Sequence, residues 1–212
     1  MKLNLLFKII LCLIAFKTLS QSQQKYPYSK WDEATKQKAN TAKDATYLSE
    51  QEKEVIYLMN LARLNGKLFA ETYVQEYIDN STNMIKNNHH ITSLINDLKN
   101  YKGAEPLLPQ KDLFNCAQNH AIETGKKGII SHQNYSKRFK QFAPRYIYTG
   151  ENCDYGHNKA IDIVMNLLID DNVADKGHRK NILRKEFLSV GVSIQPHKKW
   201  DYTAVMCFGD LK

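Results

Sequence analysis

The apolar residues of this 212-residue chain change period near its end. Val55, Ile56, Leu58, Met59 and Ala62 recur at helical spacing. So do Leu113, Cys116, Ala117, His120, Ala121 and Thr124, and again Ala160, Ile161, Val164, Leu167 and Leu168. Val190 to Ile194 and Tyr202 to Phe208 alternate instead and are rich in β-branched and aromatic residues, which predicts two strands joined across Pro196 to Asp201. Helices early and strands late predict an α+β layered domain.

Local signals place the boundaries. Ser49 and Glu52 form a capping box ahead of the first apolar face, and Asn65-Gly66 is expected to end that helix through a left-handed backbone. A second helical pattern runs from Leu68 to Ile78, and residues 79–90 turn polar and loop-like. The pair His89-His90 reads as part of a solvated loop, because adjacent residues diverge and no carboxylate or cysteine is near in sequence. Leu94, Ile95 and Leu98 make a short helix. Pro106 and Pro109 bracket an extended entry to a helix from about Asp112 to Lys127, stopped by Gly128.

Residues 1–20 carry Lys2 and Lys8 around a short n-region, then an apolar run, Ile9 to Phe16, followed by Thr18 and Ser20. This reads as a secretory signal peptide, far short of the roughly 20 apolar residues a membrane span needs. A secreted, extracellular protein without a transmembrane anchor is expected. Residues 21–48 are rich in Gln, Lys, Ser, Ala and Thr and read as a flexible linker with Trp31 exposed. Residues 49–212 form the domain. Loss of residues 1–20 removes three lysines and no acid, lowering the formal charge from +8 to +5. The remaining lysines are scattered, with no dense basic block among aromatics, so nucleic acid is not expected as a partner.

Cys116, Cys153 and Cys207 remain after the leader. An odd number allows one bridge with a spare thiol, three thiols, or a bridge to another chain. Cys116 and His120, and again Cys153 and His157, are four apart, so a Cys2His2 zinc site is conceivable. Export to an oxidising compartment and Gly156 weigh against it, and a small buried cysteine on a packed helix is the favoured reading of Cys116.

Four polar motifs interrupt the apolar second half: Ile130-Ser131-His132, Thr149-Gly150-Glu151-Asn152, Leu167-Leu168-Ile169-Asp170-Asp171, and Gly177-His178-Arg179-Lys180-Asn181-Ile182-Leu183. Two histidines and two carboxylates are residue types that hold a divalent ion or move protons in a cleft. Each has a plainer reading. Gly150-Glu151-Asn152 suits a turn, Arg179 suits a surface ion pair with Asp171 or Asp175, Asn181 suits a backbone cap, and the apolar residues between Tyr135 and Tyr148 suit packing under a loop or lining a groove.

The order and spacing of these motifs resemble the CAP superfamily of cysteine-rich secretory proteins, wasp-venom antigen 5 and plant pathogenesis-related proteins, in its bacterial or protist form. The likeness also takes in Asn60-Leu61-Ala62-Arg63 and Val190-Gly191-Val192, and it covers roughly Ser49 to Asp210. It implies a three-layer α-β-α sandwich with a central cleft lined by His132, Glu151, Asp170 and His178 as a metal set, for zinc or another divalent ion. Many members carry a glutamate, after a tryptophan, where Leu167 and Asp170 stand here, so this chain's acid is about one methylene shorter. The resemblance further implies a secreted binding or interaction module for a lipid, a sterol or a cell-surface partner. The alternative is a metal-dependent, peptidase-like hydrolase in which Glu151 or Asp170 activates water. No Ser or Cys in a recognisable elbow supplies a nucleophile.

Overall fold

The computed structural model describes residues 28–81, 88–142, 144–171 and 173–211. The expected leader therefore lies outside the described residues, as do residues 21–27 of the expected linker. The described part of the expected linker, residues 28–48, is folded. A 3-10 turn, Tyr28–Lys30, leads to helix α1, Glu33–Ala39, whose first turn is capped by the Asp32 side chain. Trp31 is 3% exposed, and its indole N–H donates to Thr72 Oγ1 at 3.2 Å. Ala39, Ala42 and Leu48 are buried in the same core. The linker reading is corrected for residues 28–48: the segment is polar in composition, yet its few apolar side chains converge on one face and dock.

Helix α2, Glu50–Leu64, opens with the expected capping box: Glu52 N–H donates to Ser49 Oγ, and Ser49 N–H to Glu52 Oε2. It does not end through a left-handed residue. Asn65 sits at φ −149°, ψ 80° and caps the next helix, α3, Gly66–Phe69. Gly66 is required for space, because a Cβ there would lie 2.7 Å from the carbonyl oxygen of Leu98. A π-helical turn, Ala70–Val74, joins α3 to α4, Gln75–Asp79. Helix α5, His89–Asn100, begins at the histidine pair that sequence placed in a loop, because Asn88 caps it.

The short strand β1, Leu108–Pro109, leads into α6, Lys111–Lys127, which stops at Gly128 with φ 66° as expected. Then follow α7, Tyr135–Lys140; β2, Tyr146–Tyr155; α8, Ala160–Ile169; α9, Gly177–Leu183; β3, Ser189–His197; and β4, Asp201–Leu211. The hairpin β3–β4 is the expected strand pair, while β2 replaces what read as a turn. The sheet runs β1-β3-β4-β2, with β2 and β3 antiparallel to β4 and β1 parallel to β3.

Alternation along the strands builds two faces. Val190, Val192, Ala204, Met206 and Phe208 face the larger core, with α2 and α8. Cys153, Val205 and Cys207 face α6, with Leu113, Cys116, Ala117 and Ala121. The result is a three-layer α-β-α sandwich. β2 carries one extra residue between Tyr146 and Thr149, since Tyr146 pairs with Leu211 and Thr149 with Gly209. Among the described residues, no helix is long and apolar enough to cross a membrane.

Candidate functional site

The site straddles β2, the edge strand of the sheet. Glu151 and Asn152 are consecutive, so their side chains leave on opposite faces. Glu151 points into the α6 layer, where its side chain is 1% exposed. Its Oε1 accepts from His132 Nδ1 at 2.8 Å and from Arg138 Nη2 at 2.9 Å. Its Oε2 accepts from Arg138 Nη1 and, at 3.9 Å, from the Cys207 thiol. Burial by itself would raise the Glu151 carboxyl. The hydrogen bonds from His132 and Arg138 and the guanidinium charge outweigh it, leaving the group below its ordinary value. Arg138, on α7, is correspondingly held as a cation against its own burial.

The other pair forms on the far side of β2. Asp170 ends α8 in a left-handed conformation, φ 55°, ψ 45°. From there its carboxylate receives His178 Nδ1 at 2.7 Å and the backbone N–H groups of His178 and Arg179 at 2.9 and 3.2 Å. It therefore caps the first turn of α9 and orients the histidine with the same two oxygens. Asn152 Nδ2 donates to the carbonyl of His178, and Asn181 Nδ2 donates to Asn152 Oδ1. The shorter acid reaches its histidine from that left-handed position.

The four residues expected at the site are thus brought together as two carboxylate–imidazole pairs, with ring centroids of His132 and His178 6.5 Å apart and tilted by 30°. His132 has a half-exposed side chain and His178 a quarter-exposed one. A ring whose Nδ1–H donates to a carboxylate carries its lone pair on Nε2, the arrangement that orients metal-ligating histidines. The carboxylates fit as supports for the rings better than as ligands, because the protein's own donors already engage their oxygens.

The Cys2His2 grouping does not assemble. Cys116 packs in an apolar cluster with Cys207, and His157 pairs with Asp154 at 3.0 Å. Asp154 is 1% exposed; its burial raises its carboxyl, and the hydrogen bond from His157 opposes that rise. His120 and Cys153 instead meet Glu151, with ligand atoms all within 4.8 Å of one another, a buried group that could hold a metal ion. Its chemistry is less ready than that of the exposed histidine pair. Glu151 already carries the Arg138 cation, His120 Nε2 is 2.8 Å from the Ser131 carbonyl, and burial holds the Cys153 thiol well above its ordinary range.

Two basic residues take places that the sequence did not indicate. Arg138 lies in Tyr-Ser-Lys-Arg-Phe-Lys, and nothing there marks one cation as the partner of a buried acid. Arg179, expected in a surface pair with Asp171 or Asp175, is 2% exposed. It donates to the carbonyls of Leu168 and Ile169, to Ser93 and to Asp97. Asp171 pairs instead with His90, at 3.0 Å, so the histidine pair does acquire a carboxylate, one distant in sequence.

The model of the cysteine-rich secretory protein family, CAP, matches residues 92–208, more than half of the chain. The chain belongs to the CAP family. Among solved structures, this CAP chain is similar to an outer surface protein of Borrelia burgdorferi, at 18% identity and TM-score 0.43, over 51% of this chain and 80% of that one. It is similar to a cysteine-rich secretory protein of Staphylococcus aureus, at 20% identity and TM-score 0.42, over 57% and 38%. It is also similar to an extracellular protein containing an SCP domain from Bacillus anthracis, at 17% identity and TM-score 0.42, over 61% and 44%. The CAP chain thus spans under half the length of the last two. No curated protein sequence matches it.

Proposed function

We propose that this chain is an exported CAP binding module whose cleft holds a divalent ion, zinc-like in its ligand chemistry, through Nε2 of His132 and Nε2 of His178. Residues 1–20 would serve as its signal peptide. The observation that carries the reading is the commitment of both carboxylates. The oxygens of Glu151 are held by Arg138 and His132, and those of Asp170 by His178 and the first turn of α9. Neither is free to take a proton from water, which weighs against the hydrolase alternative. Both are placed to fix imidazole tautomers.

For the partner, apolar surface near the cleft favours a lipid, a sterol or an apolar face of a cell-surface protein. Ile147 and Tyr148, on the strand that carries Glu151, and Ile130, two residues ahead of His132, are each more than half exposed. Calorimetric titration of the purified domain with zinc tests the metal reading. Saturable binding near one equivalent, lost in a folded His132→Ala/His178→Ala variant, is expected. Binding retained in that variant but lost in Cys153→Ser would transfer the site to the buried group. Turnover of peptide or ester substrates that disappears in Glu151→Gln would overturn the binding-module reading.

A further inference from the structure

Gly191 of β3 is where helix α6 meets the sheet. A Cβ there would lie 2.0 Å from the Phe114 nitrogen and 2.1 Å from the Leu113 carbonyl carbon, so the first turn of the helix rests directly on the strand. Across the β3–β4 ladder, Gly191 is paired with Cys207. Cys116 follows within the next turn of α6, in the same apolar cluster as Cys207, and each of the two thiols acts on the acidity of the other. Cys153 faces the same layer, but it is paired across its ladder with Val205, and its Sγ lies 3.8 Å from His132 Nδ1. All three are thiols in this structure.

We propose that Cys116 and Cys207 are a disulfide-forming pair that fastens helix α6 to strand β4, with Cys153 left as a thiol. The oxidant is a small-molecule disulfide such as oxidised glutathione. The Cys116 thiolate attacks one of its sulfurs, forming a mixed disulfide and releasing one thiolate. The Cys207 thiolate then attacks the Cys116 sulfur, forming the protein S–S bond and releasing the second. Two protein thiols are oxidised, one small disulfide is reduced to two thiols, and the protein's two protons pass to solvent or to the released thiolates. Cys116 suits the first role because it is the more accessible of the two, 4% exposed against 0% for Cys207. Both residues are buried, so the bond closes during folding.

A lasting bond in the organism rests on the export proposed above. The pairing itself does not, and a defined redox buffer separates the two. The chain is refolded with oxidised and reduced glutathione, its remaining thiols are alkylated, and it is digested without reduction for peptide mass mapping. The expected product is one cross-linked peptide pair containing Cys116 and Cys207, two hydrogens lighter than its parts, with Cys153 alkylated. Closing a loop of about 90 residues should raise the thermal midpoint by about 10 °C over the reduced protein. That gain should vanish in Cys116→Ser and persist in Cys153→Ser. A bridge that uses Cys153, a disulfide-linked dimer, or three alkylated cysteines in folded, oxidised protein would overturn the proposal. Peptide mapping of the unmodified sequence decides it even where a serine variant fails to fold.

Discussion

Arg138 and Glu151 show how one side chain sets the properties of another. A carboxylate with 1% of its side chain exposed stays ionised here because the guanidinium and His132 face it. Arg138→Gln removes the cation and leaves the acid buried, a change that typically costs about 3 kcal/mol or more. The sign of its pH dependence follows from linkage. A carboxyl held below its ordinary 4.5 in the folded protein contributes stability that is complete above that value and lost as pH falls through the lowered one. Urea denaturation should therefore find the variant weakest relative to the parent at neutral pH, with the gap closing below about pH 4.5 as both carboxyls become protonated. A gap independent of pH would show that Arg138 acts through packing alone. This pair was not legible in sequence, since Arg138 lies among lysines with no local pattern to distinguish it. The gathering of His132, Glu151, Asp170 and His178 was legible because motif order preserves it, yet which carboxylate faces which imidazole needed distances.

Elements whose start is written in adjacent residues were read correctly. The capping box of α2 joins residues three apart, and Gly128 ends α6 by its own backbone preference. Elements fixed by distant contacts were not. β2 presents Thr149-Gly150-Glu151-Asn152, a poor strand by composition, and becomes one because β4 offers it an unbroken ladder from Thr149 to Tyr155 and Arg138, Asn181 and His178 satisfy its polar side chains. Asn65-Gly66 does end α2, but through Asn65 capping the next helix and the close approach of Leu98 to Gly66 rather than through a left-handed backbone. Close approach is also the rule for α6. Gly191 abuts Phe114, and Gly125 lies where a Cβ would be 2.2 Å from the carbonyl oxygen of Pro196, so backbone meets backbone at both ends of the helix. Gly191→Ala should force helix and strand apart, costing about 3 kcal/mol, the upper end for overpacking. A shift in the urea midpoint measures it, and an unchanged midpoint would mean that the layers yield freely.

The domain as a whole extends further toward the N-terminus than its composition implied. Residues 28–48 lack the apolar density of a helix pair, but Trp31, Ala39, Ala42 and Leu48 each enter the main core. Trp31→Ala should lower stability by about 3 kcal/mol or more, as burial of a large aromatic side chain implies. A tether would give no change in the denaturation midpoint, so the experiment separates the two readings. The family's layered scaffold was legible because it depends on the period of apolar residues, which survives divergence. The attachment of the N-terminal segment was not, because four small or aromatic contacts leave no period.

The extra residue in β2 gives the molecule a parity. Tyr146 and Glu151, an even and an odd position, both turn toward α6, which strict alternation would forbid. The added position between them, beside the exposed Ile147 and Tyr148, resets the count. Were the same residues paired in regular alternation, with no bulge, seating the tyrosine in its core would drive Glu151 to the opposite face and bring Asn152 to Arg138. The cleft therefore depends on a mismatch, two residues of β2 set against one of β4, at the far end of the strand segment that carries Glu151.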